Sequence, residues 1–499
     1  MEKKYYPTVG LEIHAELKTN TKMFCSCKND PDEEKPNVNI CPVCMAHPGT
    51  LPVINKKAIE SIIKVGLAIN GEIADFTEFD RKNYFYPDIP KGYQISQYKY
   101  PIVSGGHLTD FDVTRIHLEE DTANNKHIEK ISPEPGSWEE EKEGYSLVDF
   151  NRAGVPLMEL VTEPLTLDSA ETIAKSASGF AKELQLILWY LGVSEANMEK
   201  GEMRVEANIS VSKDKTKLGT KVEVKNLNSF KSVEKAINFE LDRMIELFEN
   251  NKEDEIVQET RGWDESKQKT FSQRKKESSQ DYRYFPEPDL PKMFLHGTFS
   301  AEGGPASGWD LEKMKKDLPE LPQAKRLRYK NDFGIKDEDI ESYINDKELG
   351  NWFEEIAKLL KNSDKVKIAS NYITSDYLGI KKMQTEARLP SAENFTELIN
   401  LVADNKISSR VAKDILVMIV LNDQSPLKIA IEKNLLQKND AESIKIIIEK
   451  IISENPEVVT VYKSGKKNAI MSLVGKVIKE SNGSANPKIV IDMLKKLLS

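Results

Sequence analysis

Residues 203–211 read MRVEANISV, an almost faultless alternation of apolar and polar side chains. Residues 221–225, KVEVK, repeat the alternation after a Lys-Leu-Gly turn. Because successive side chains of a strand point to opposite faces, this pattern is typical of a sheet with one apolar and one polar face. The two segments therefore predict a hairpin of an antiparallel sheet.

Helices are predicted between such strands. Asp168 can cap a helix that runs from Ala170 to Tyr190, and residues 232–250 have a helical composition. Antiparallel strands with segregated helices indicate an α+β fold. A glycine- and proline-rich passage at 297–308 predicts a linker or hinge, and from about Leu311 onward strand signals almost vanish. We therefore predict an α+β domain over residues 1–292, then a helical connector over 293–405 and a helical tail over 406–499.

The composition is ordinary for a soluble globular protein, with 30% charged and 39% hydrophobic residues. No signal peptide opens the sequence, and no apolar run approaches the ~20 residues of a membrane span. We therefore expect a cytoplasmic protein that does not associate with a membrane. The net charge of −10 argues against a general nucleic-acid coat. Residues 401–499, however, carry 16 basic and 11 acidic side chains. This tail either touches a phosphate backbone or is a solvated helical face.

Three apolar stretches in the first third of the chain carry acids or imidazoles where a core strand carries none: residues 9–14 (VGLEIH), 116–121 (IHLEED) and 156–161 (PLMELV). At a period of two, Glu12 and His14 share a face. Buried carboxylates are tolerated mainly where a cation neutralises them. Mg²⁺ suits carboxylate oxygens and leaves positions open for phosphate. The pattern therefore points to phosphoryl-transfer chemistry.

All cysteines of the chain, Cys25, Cys27, Cys41 and Cys44, lie within one short window. Their spacing resembles a Cys₄ zinc knuckle, and a pair of disulfides is the alternative. The lack of a secretion signal and of any further cysteine favours zinc. Four thiolates leave no open coordination position, so this zinc would be structural.

Two aromatic passages are the most distinctive part of the sequence. Residues 80–98, DRKNYFYPDIPKGYQISQY, are dense in aromatic, basic and amide groups, and residues 281–289, DYRYFPEPD, echo them. By themselves they fit an RNA-contacting loop, a nucleotide pocket or a rigid turn. Four further motifs accompany them: GLEIH at 10–14, LEED at 118–121, LVDFNR at 147–152 and KNLNSF at 225–230.

Together these passages resemble the B subunits of bacterial aspartyl/glutamyl-tRNA amidotransferases (GatB), and the likeness covers nearly the whole chain. The resemblance implies a body like the glutamine-synthetase cradle and a tail that contacts tRNA. It also implies a ligase of protein biosynthesis that uses ATP to phosphorylate the side-chain carboxylate of Glu-tRNA(Gln) or Asp-tRNA(Asn). Ammonia, released from glutamine by an amidase A subunit, then forms the amide. A small C subunit completes the implied heterotrimer.

Two absences agree with this division of labour. The sequence has no Gly-x₄-Gly-Lys-Ser/Thr loop, so ATP would not be held by a P-loop. It also has no Gly-Ser-Ser-Gly-Gly-Ser run, so the glutamine-hydrolysing nucleophile would belong to another chain.

Two rival interpretations remain: a free-standing ligase that acts on a small carboxylate with free ammonia, and a non-catalytic, zinc-bearing RNA-binding subunit. The sequence does not select between the two mischarged tRNAs.

Site residues follow from the same match. Glu12, His14 and Glu159 are expected to be catalytic Mg²⁺ ligands, with either Glu119 or Glu120 completing the set. Strand alternation sends these last two to opposite faces, so only one should reach the ion.

Weaker candidates complete the expected sites. Those for contact with ATP or substrate, against the alternative of a solvated sheet face, are Arg204, Glu206, Asn208, Lys225 and Asn226. In the tail, Lys466 and Lys467 lie beside a turn and are expected to contact tRNA.

Overall fold

The computed structural model describes residues 5–128, 144–275, 281–296, 309–437, 441–481, 485 and 487–498. The chain divides into two compact units, Met1–Pro322 and Gln323–Ser499. The glycine- and proline-rich passage at 297–308, where the sequence predicts a linker, lies outside the described residues.

The first unit is mixed α and β. Its strands are β1 Tyr6–Glu16, β2 Glu72–Ile73, β3 Phe76–Thr77, β4 Asp80–Asn83, β5 Tyr93–Ser96, β6 Val103–Ser104, β7 His107–Leu108, β8 Phe111–Glu120, β9 Asn124–Ile128, β10 Tyr145–Asp149, β11 Pro156–Thr162, β12 Leu165–Thr166, β13 Met203–Ser212, β14 Val222–Leu227, β15 Glu259–Asp264, β16 Lys269–Lys275, β17 Phe285–Pro286 and β18 Met293–Phe294. Its helices are α1 Lys56–Ala68, α2 Ala170–Leu191, α3 Phe230–Glu249 and α4 Leu311–Lys316, with a 3₁₀ turn at Glu253–Glu255.

One large sheet dominates this unit, in the order β16-β15-β14-β13-β1-β11-β8-β6-β2, with β12 beside β1 and β7 beside β8. β13 and β14 pair in antiparallel fashion, which confirms the hairpin predicted from their alternation. β14 and β15 pair in parallel, which is possible because α3 carries the chain across between them. Smaller sheets join β17-β4-β5, β18-β3 and β9-β10. The predicted α+β class is confirmed.

The two faces of the large sheet differ in polarity. Along β1 the side chains of Val9, Leu11 and Ile13 are fully buried in the main core. Helices α1, α2 and α3 pack over this apolar face, with α2 against β1 and α3 against β13 and β14. The intervening residues of the same strands point to the other face, which carries the polar site. Alternation thus produces the core and the site from the same strands.

Helix α2 begins and ends at residues with suitable cap chemistry. The Ser169 hydroxyl accepts a hydrogen bond from the backbone N–H of Thr172, so Ser169 is the N-cap and the expectation for Asp168 was wrong by one residue. At the other end Gly192 adopts a left-handed φ of 66°, and its N–H bonds to the carbonyl of Leu188. Only glycine takes this conformation without steric cost.

The predicted boundary at 292/293 falls inside the first unit, which extends to Pro322. β18 pairs with β3, and α4 packs against α1. The physical reason is the burial of apolar side chains: Leu295 is fully buried, and Trp309 and Leu311 pack on the main core. A composition shift marks the start of the linker, but it does not show where the flanking side chains pack.

The second unit is helical throughout its described residues, as predicted. Its helices are α5 Pro322–Phe333, α6 Asp337–Ile344, α7 Lys347–Leu360, α8 Ser363–Asn371, α9 Leu378–Met383, α10 Ala392–Ala403, α11 Ser409–Asn422, α12 Pro426–Glu432, α13 Ala441–Glu454, α14 Pro456–Lys463, α15 Ile470–Glu480 and α16 Pro487–Leu498, with a π-helical turn at Tyr372–Tyr377 and a 3₁₀ turn at Lys467–Ala469. Residues from α13 to α16 share an apolar core of their own. The predicted boundary at 405/406 stays a prediction, since α10 packs against both α11 and α12.

Within the described ranges, no helix is both long enough and apolar enough to cross a lipid bilayer.

Replacing Phe180 of α2 by alanine should lower the free energy of unfolding of the chain by ~3–5 kcal/mol. Phe180 is fully buried and packs edge-to-face on Phe111 of β8, with 5.4 Å between ring centroids. Denaturant unfolding followed by fluorescence would measure the change. The matched control is Lys182→Ala on the exposed side of the same helix, where a change within ~0.5 kcal/mol is expected. Equal midpoints for the two variants would contradict this packing.

Candidate active site

A row of polar side chains crosses four adjacent strands on the polar face of the large sheet. His14 of β1 lies opposite Arg204 of β13 on one side and Glu159 of β11 on the other. Glu159 in turn lies opposite His117 of β8. Because directly opposed residues of antiparallel strands lie ~4.5–5.5 Å apart at Cβ, the register alone brings these groups together.

Two further carboxylates adjoin the row. Glu12 lies two residues before His14 on β1, and Glu119 lies two residues after His117 on β8, so strand alternation sends both to the same face. We call Glu12, His14, His117, Glu119 and Glu159 the acid–imidazole cluster. Its members come from three separate strands.

The acid–imidazole cluster is compact. His14 Nε2 lies 3.4 Å from Glu159 Oε2, 3.7 Å from Glu119 Oε1 and 3.8 Å from Glu12 Oε1. On the other side of Glu159, the same Oε2 lies 3.3 Å from His117 Nε2. Glu159 is only 6% exposed, while Glu12 is the most accessible member. Each imidazole thus lies beside a carboxylate that burial would otherwise leave uncompensated.

Burial and charge shift the ionisation of the cluster in opposite directions. Burial disfavours the charged form of His14, but the hydrogen bond and charge of Glu159, with Glu119 and Glu12, raise its pKa to about 9. Burial also opposes the charge of Glu159, yet His117 and His14 hold the pKa of that carboxyl well below its usual range. Burial, and then the charge of Glu159, raises the pKa of Glu12. Without a bound cation, the imidazolium charge of His14 therefore matches the buried Glu159 carboxylate at neutral pH, and a cation bound by His14 would replace its proton.

The donor set fits a hard divalent cation. The ligand atoms of Glu12, His14 and Glu159 lie within 4.8 Å of one another, and so do those of His117, Glu119 and Glu159. Among the described residues, His117 Nδ1 and Glu119 Oε2 are buried without a hydrogen-bond partner. An unsatisfied buried carboxylate oxygen is costly, and a cation would satisfy it. Three carboxylates are ligands that suit Mg²⁺ or Mn²⁺.

Cations surround the acids. Lys82 Nζ lies 3.8 Å from Glu119 Oε2, and Arg115 Nη2 lies 3.8 Å from Glu159 Oε1. Arg204 forms an ion pair with the buried Asp121. We call Lys82, Arg115 and Arg204 the cationic rim. Although burial opposes the charge of Lys82, Glu119 raises the pKa of its ammonium, so the rim stays positive and suits anionic ligands.

The structure brings Glu119, and not Glu120, into the acid–imidazole cluster. Glu120 lies on the opposite face, where its carboxylate accepts hydrogen bonds from Lys91 Nζ at 2.5 Å and from the backbone N–H of Ile95 at 2.9 Å. Only one of the two acids therefore reaches the cluster, as expected from strand alternation, and that acid is Glu119.

The weaker candidates divide into two groups. Arg204 belongs to the cationic rim, and Glu206 lies opposite Glu12 in the register of β1 and β13. Lys225 Nζ lies 2.9 Å from Glu206 Oε2 and 3.2 Å from Glu223 Oε1. These residues extend the polar face by one strand.

Asn208 and Asn226 lie farther along β13 and β14. Asn208 lies opposite Gly10, two residues beyond Glu206 and on the same face. Asn226 is exposed, with a left-handed φ of 65°, beside the register shift between β13 and β14. That conformation is accessible to asparagine and is typical of a bulge.

Sequence analysis missed His117, Lys82, Arg115 and Asp121. A signal existed for three of them, because alternation along β8 places Arg115, His117 and Asp121 on the face of Glu119. No local pattern could have found Lys82, since it reaches the cluster from β4, which belongs to a different sheet.

The four cysteines form a second cluster. Their Sγ atoms all lie within 4.8 Å of one another, and none is in a disulfide. Cys44 Sγ accepts the backbone N–H of Cys41 at 3.1 Å and lies 3.9 Å from Nζ of Lys22, which is 0% exposed. The hydrogen bond from Cys25, the Cys41 N–H and the Lys22 charge lower the pKa of Cys44 to about 5 against the opposing effect of burial. Four clustered sulfurs fit a tetrahedral, thiolate-preferring metal.

In the second unit, Lys466 and Lys467 occupy the turn between α14 and α15. Both side chains are exposed, and Gly465 before them has a left-handed φ of 102°. The turn therefore presents two adjacent ammonium groups to solvent.

Comparisons with known proteins match both units. A family model described as the GatB/GatE catalytic domain matches residues 7–300, and a GatB domain model matches residues 351–498. The B subunit of the aspartyl/glutamyl-tRNA(Asn/Gln) amidotransferase of Thermotoga maritima is 42% identical over 508 residues, covering 99% of each chain. Its counterpart of the same name from Gloeothece citriformis is 40% identical, covering 99% of this chain and 98% of its own. The chloroplastic/mitochondrial B subunit of the glutamyl-tRNA(Gln) amidotransferase of Sorghum bicolor is also 40% identical, over 97% of this chain and 86% of its own.

Proposed function

This chain belongs to the GatB family of tRNA-dependent amidotransferase B subunits, and from this premise we propose that its acid–imidazole cluster is the active site of the ligase. The substrate is Glu-tRNA(Gln) or Asp-tRNA(Asn), whose side-chain carboxylate is activated by ATP and converted to the amide. The observation that carries the proposal is the convergence of three carboxylates, two imidazoles and the cationic rim on one sheet face.

We assign Glu12, His14, Glu119 and Glu159 to the binding of Mg²⁺. When bound, the ion would offset the repulsion between the anionic carboxylate and the triphosphate. His117 holds Glu159 from the side opposite His14, at 3.3 Å, and thereby fixes the orientation of that carboxylate. Glu120 is left out of this assignment because Lys91 and Ile95 already satisfy its oxygens.

Residues of the cationic rim would neutralise phosphate charge. Lys82 and Arg115 each lie 3.8 Å from a cluster carboxylate, so their charges lie beside the acids to which we assign the metal ion. Arg204, with Lys225 on the neighbouring strand, extends positive charge along the face. Contact of Arg204, Glu206, Asn208, Lys225 and Asn226 with ATP or substrate is part of the same proposal. Prearranged charges of this kind need no reorganisation during reaction.

The proposed reaction proceeds in two steps. A carboxylate oxygen of the aminoacyl side chain attacks the γ-phosphorus of ATP, a new P–O bond forms, and the bond to ADP breaks. Ammonia then attacks the activated carbonyl carbon, inorganic phosphate leaves, and the nitrogen loses one proton to give the amide.

Ammonia must come from elsewhere in the complex. The sequence contains no amidase-type Gly-Ser-Ser-Gly-Gly-Ser run, and its four cysteines lie in one cluster of their own. We propose that an amidase A subunit hydrolyses glutamine and that a small C subunit completes the assembly. Each of the relatives is itself one subunit of an amidotransferase, which supports a multi-subunit enzyme.

Three further assignments belong to this proposal. The large sheet with its polar face is related to the cradle of glutamine synthetase, which performs comparable carboxylate activation. The cysteine cluster holds a structural Zn²⁺, supported by its four clustered sulfurs and the nearby ammonium of Lys22. The helical tail contacts tRNA, supported by the exposed lysines of its α14–α15 turn.

Replacing Glu159 by glutamine should lower ATP-dependent phosphorylation of the mischarged tRNA at least ~100-fold, because the amide keeps the shape but removes the ligand charge. Glu119→Gln should act in the same way. Transfer of label from γ-labelled ATP, measured in the reconstituted complex, would report this step. Glutamine hydrolysis by the partner should persist.

Glu120→Gln is the comparison for the preceding test. It should leave the phosphorylation step within a few-fold of wild type, with thermal unfolding measured alongside to detect any loss of fold. Full activity of Glu159→Gln, or equal losses for Glu119→Gln and Glu120→Gln with intact folds, would contradict the metal assignment.

Purified protein should contain about one zinc ion per chain, and Lys22→Met should weaken zinc binding ~10-fold. The reason is that the buried ammonium offsets part of the negative charge of four thiolates. Competition with a chromogenic chelator would measure the affinity, and Lys28→Met, at an exposed lysine in the same loop, is the control. Elemental analysis that finds no metal, together with four titratable thiols, would exclude the zinc site.

The double change Lys466→Ala and Lys467→Ala should weaken tRNA binding several-fold and reduce the slope of log affinity against log salt by about one unit per lost phosphate contact. Filter binding at several salt concentrations would measure both. Lys215→Ala with Lys217→Ala removes two exposed charges of the first unit and should leave the slope unchanged. An unaltered slope in the tail variant would show that these lysines only solvate the helices.

A further inference from the structure

A cluster of aromatic rings lies beside the acid–imidazole cluster, and the proposed chemistry does not use it. The rings belong to the two aromatic passages of the sequence, one around β4 and β5 and the other just before β17. We call this group the aromatic surface. Its members are Tyr84, Tyr86, Tyr98, Tyr282 and Tyr284, whose rings contact one another in pairs, together with the exposed ring of Phe85, which lies between Tyr84 and Tyr86 in the chain.

The aromatic surface is held in place by hydrogen bonds between β4 and the later passage. The side-chain amide of Asn83 donates to the carbonyls of Tyr282 and Arg283 at 3.1 and 2.9 Å, and its backbone N–H donates to Tyr282 at 3.0 Å. The guanidinium of Arg81 donates two hydrogen bonds, of 2.7 and 2.8 Å, to the carboxylate of Glu287. These contacts fix the later passage against β4, so the rings are positioned before any ligand arrives.

Several of these rings face solvent. Phe85 is 86% exposed, Tyr98 60% and Tyr86 53%. One side of Phe85 rests on Gly92, where an added Cβ would lie 3.1 Å from the ring. Tyr98 stacks on Tyr284, with centroids 4.4 Å apart and planes 10° apart. Rings that are supported from behind and open in front are platforms for flat ligands.

Lys82 joins the aromatic surface to the proposed active site. Its Nζ lies 5.3 Å from the ring centroid of Tyr282 and 5.9 Å from that of Tyr84. The same atom lies 3.8 Å from Glu119 Oε2. Lys82 thus connects the aromatic surface to the acid–imidazole cluster.

We propose that the aromatic surface binds the unpaired 3′-terminal nucleotides of the aminoacyl-tRNA by base stacking. This inference rests on the proposed function, in which the reacting carboxylate is carried on that 3′ end. Several open rings suit successive bases of a strand, whereas the single base of ATP needs one. Arg283 is exposed, with its Nε 3.7 Å from Asp281 Oδ2, and its guanidinium would provide a cation for the phosphates between the bases. Stacking holds the strand without reading its sequence, as a substrate end common to different tRNAs requires.

The test uses the reconstituted complex and a mischarged tRNA with 2-aminopurine in place of its terminal adenine. Binding to wild type should quench the fluorescence, because the base stacks. Phe85→Ala and Tyr98→Ala should each weaken binding of this tRNA ~10-fold and reduce the quenching, while Phe85→Trp should restore both. For a tRNA trimmed of its unpaired 3′ nucleotides, the variants and wild type should bind equally. The KM for ATP should not change.

Phe271→Ala is the matched control, because this half-exposed ring of β16 also lies over a glycine, Gly262. It should alter neither binding nor quenching. Unchanged affinity and quenching in Phe85→Ala and Tyr98→Ala would overturn the inference. A raised KM for ATP would overturn it in favour of an adenine platform, and equal weakening with the trimmed tRNA would overturn it in favour of a different contact. Wild-type turnover, measured in parallel, separates these outcomes from failure of the proposed function itself.

Discussion

The arrangement of the polar site depends on the placement of Glu159 between two imidazoles. Its carboxylate lies 3.4 Å from His14 and 3.3 Å from His117, and it is almost inaccessible to solvent. A carboxylate buried without such partners would cost several kcal/mol, so these contacts fix the pairing of β1, β11 and β8. A slip of one residue in any of these strands would move its acids into the core and its core residues onto the polar face.

Opposite charges are interleaved across this face. Glu119 and Glu159 each have a cation of the rim within 4 Å, and Asp121 is paired with Arg204. The net charge of −10 therefore says little about the local field at the site. Fixed cations beside fixed acids suit a reaction in which two anions, a carboxylate and a triphosphate, must approach each other.

The same strand geometry separates two regions with different chemistry. His117 and Glu119, on one face of β8, belong to the acid–imidazole cluster. Glu120, the residue after Glu119, lies on the other face and accepts a hydrogen bond from Lys91. Near that second face lies a cavity of about 160 Å³, lined by residues that include Cys44, Lys91 and Glu120. One strand therefore separates the acid–imidazole cluster from the surroundings of the cysteine cluster.

The sequence by itself determined the elements and their faces. Alternation in residues 203–211 specified β13 and its polar side, and alternation along β8 already separated Glu119 from Glu120, because side-chain direction in a strand is a local property. The spacing of the four cysteines likewise predicted their cluster. Only the tertiary structure decided which of those faces meet. Lys82 reaches Glu119 from another sheet, and Arg81 pairs with Glu287, about two hundred positions later in the chain. The buried side chain of Leu295 extends the first unit past the predicted boundary. Such contacts depend on strand order and on packing between distant segments, and no local pattern of residues encodes either.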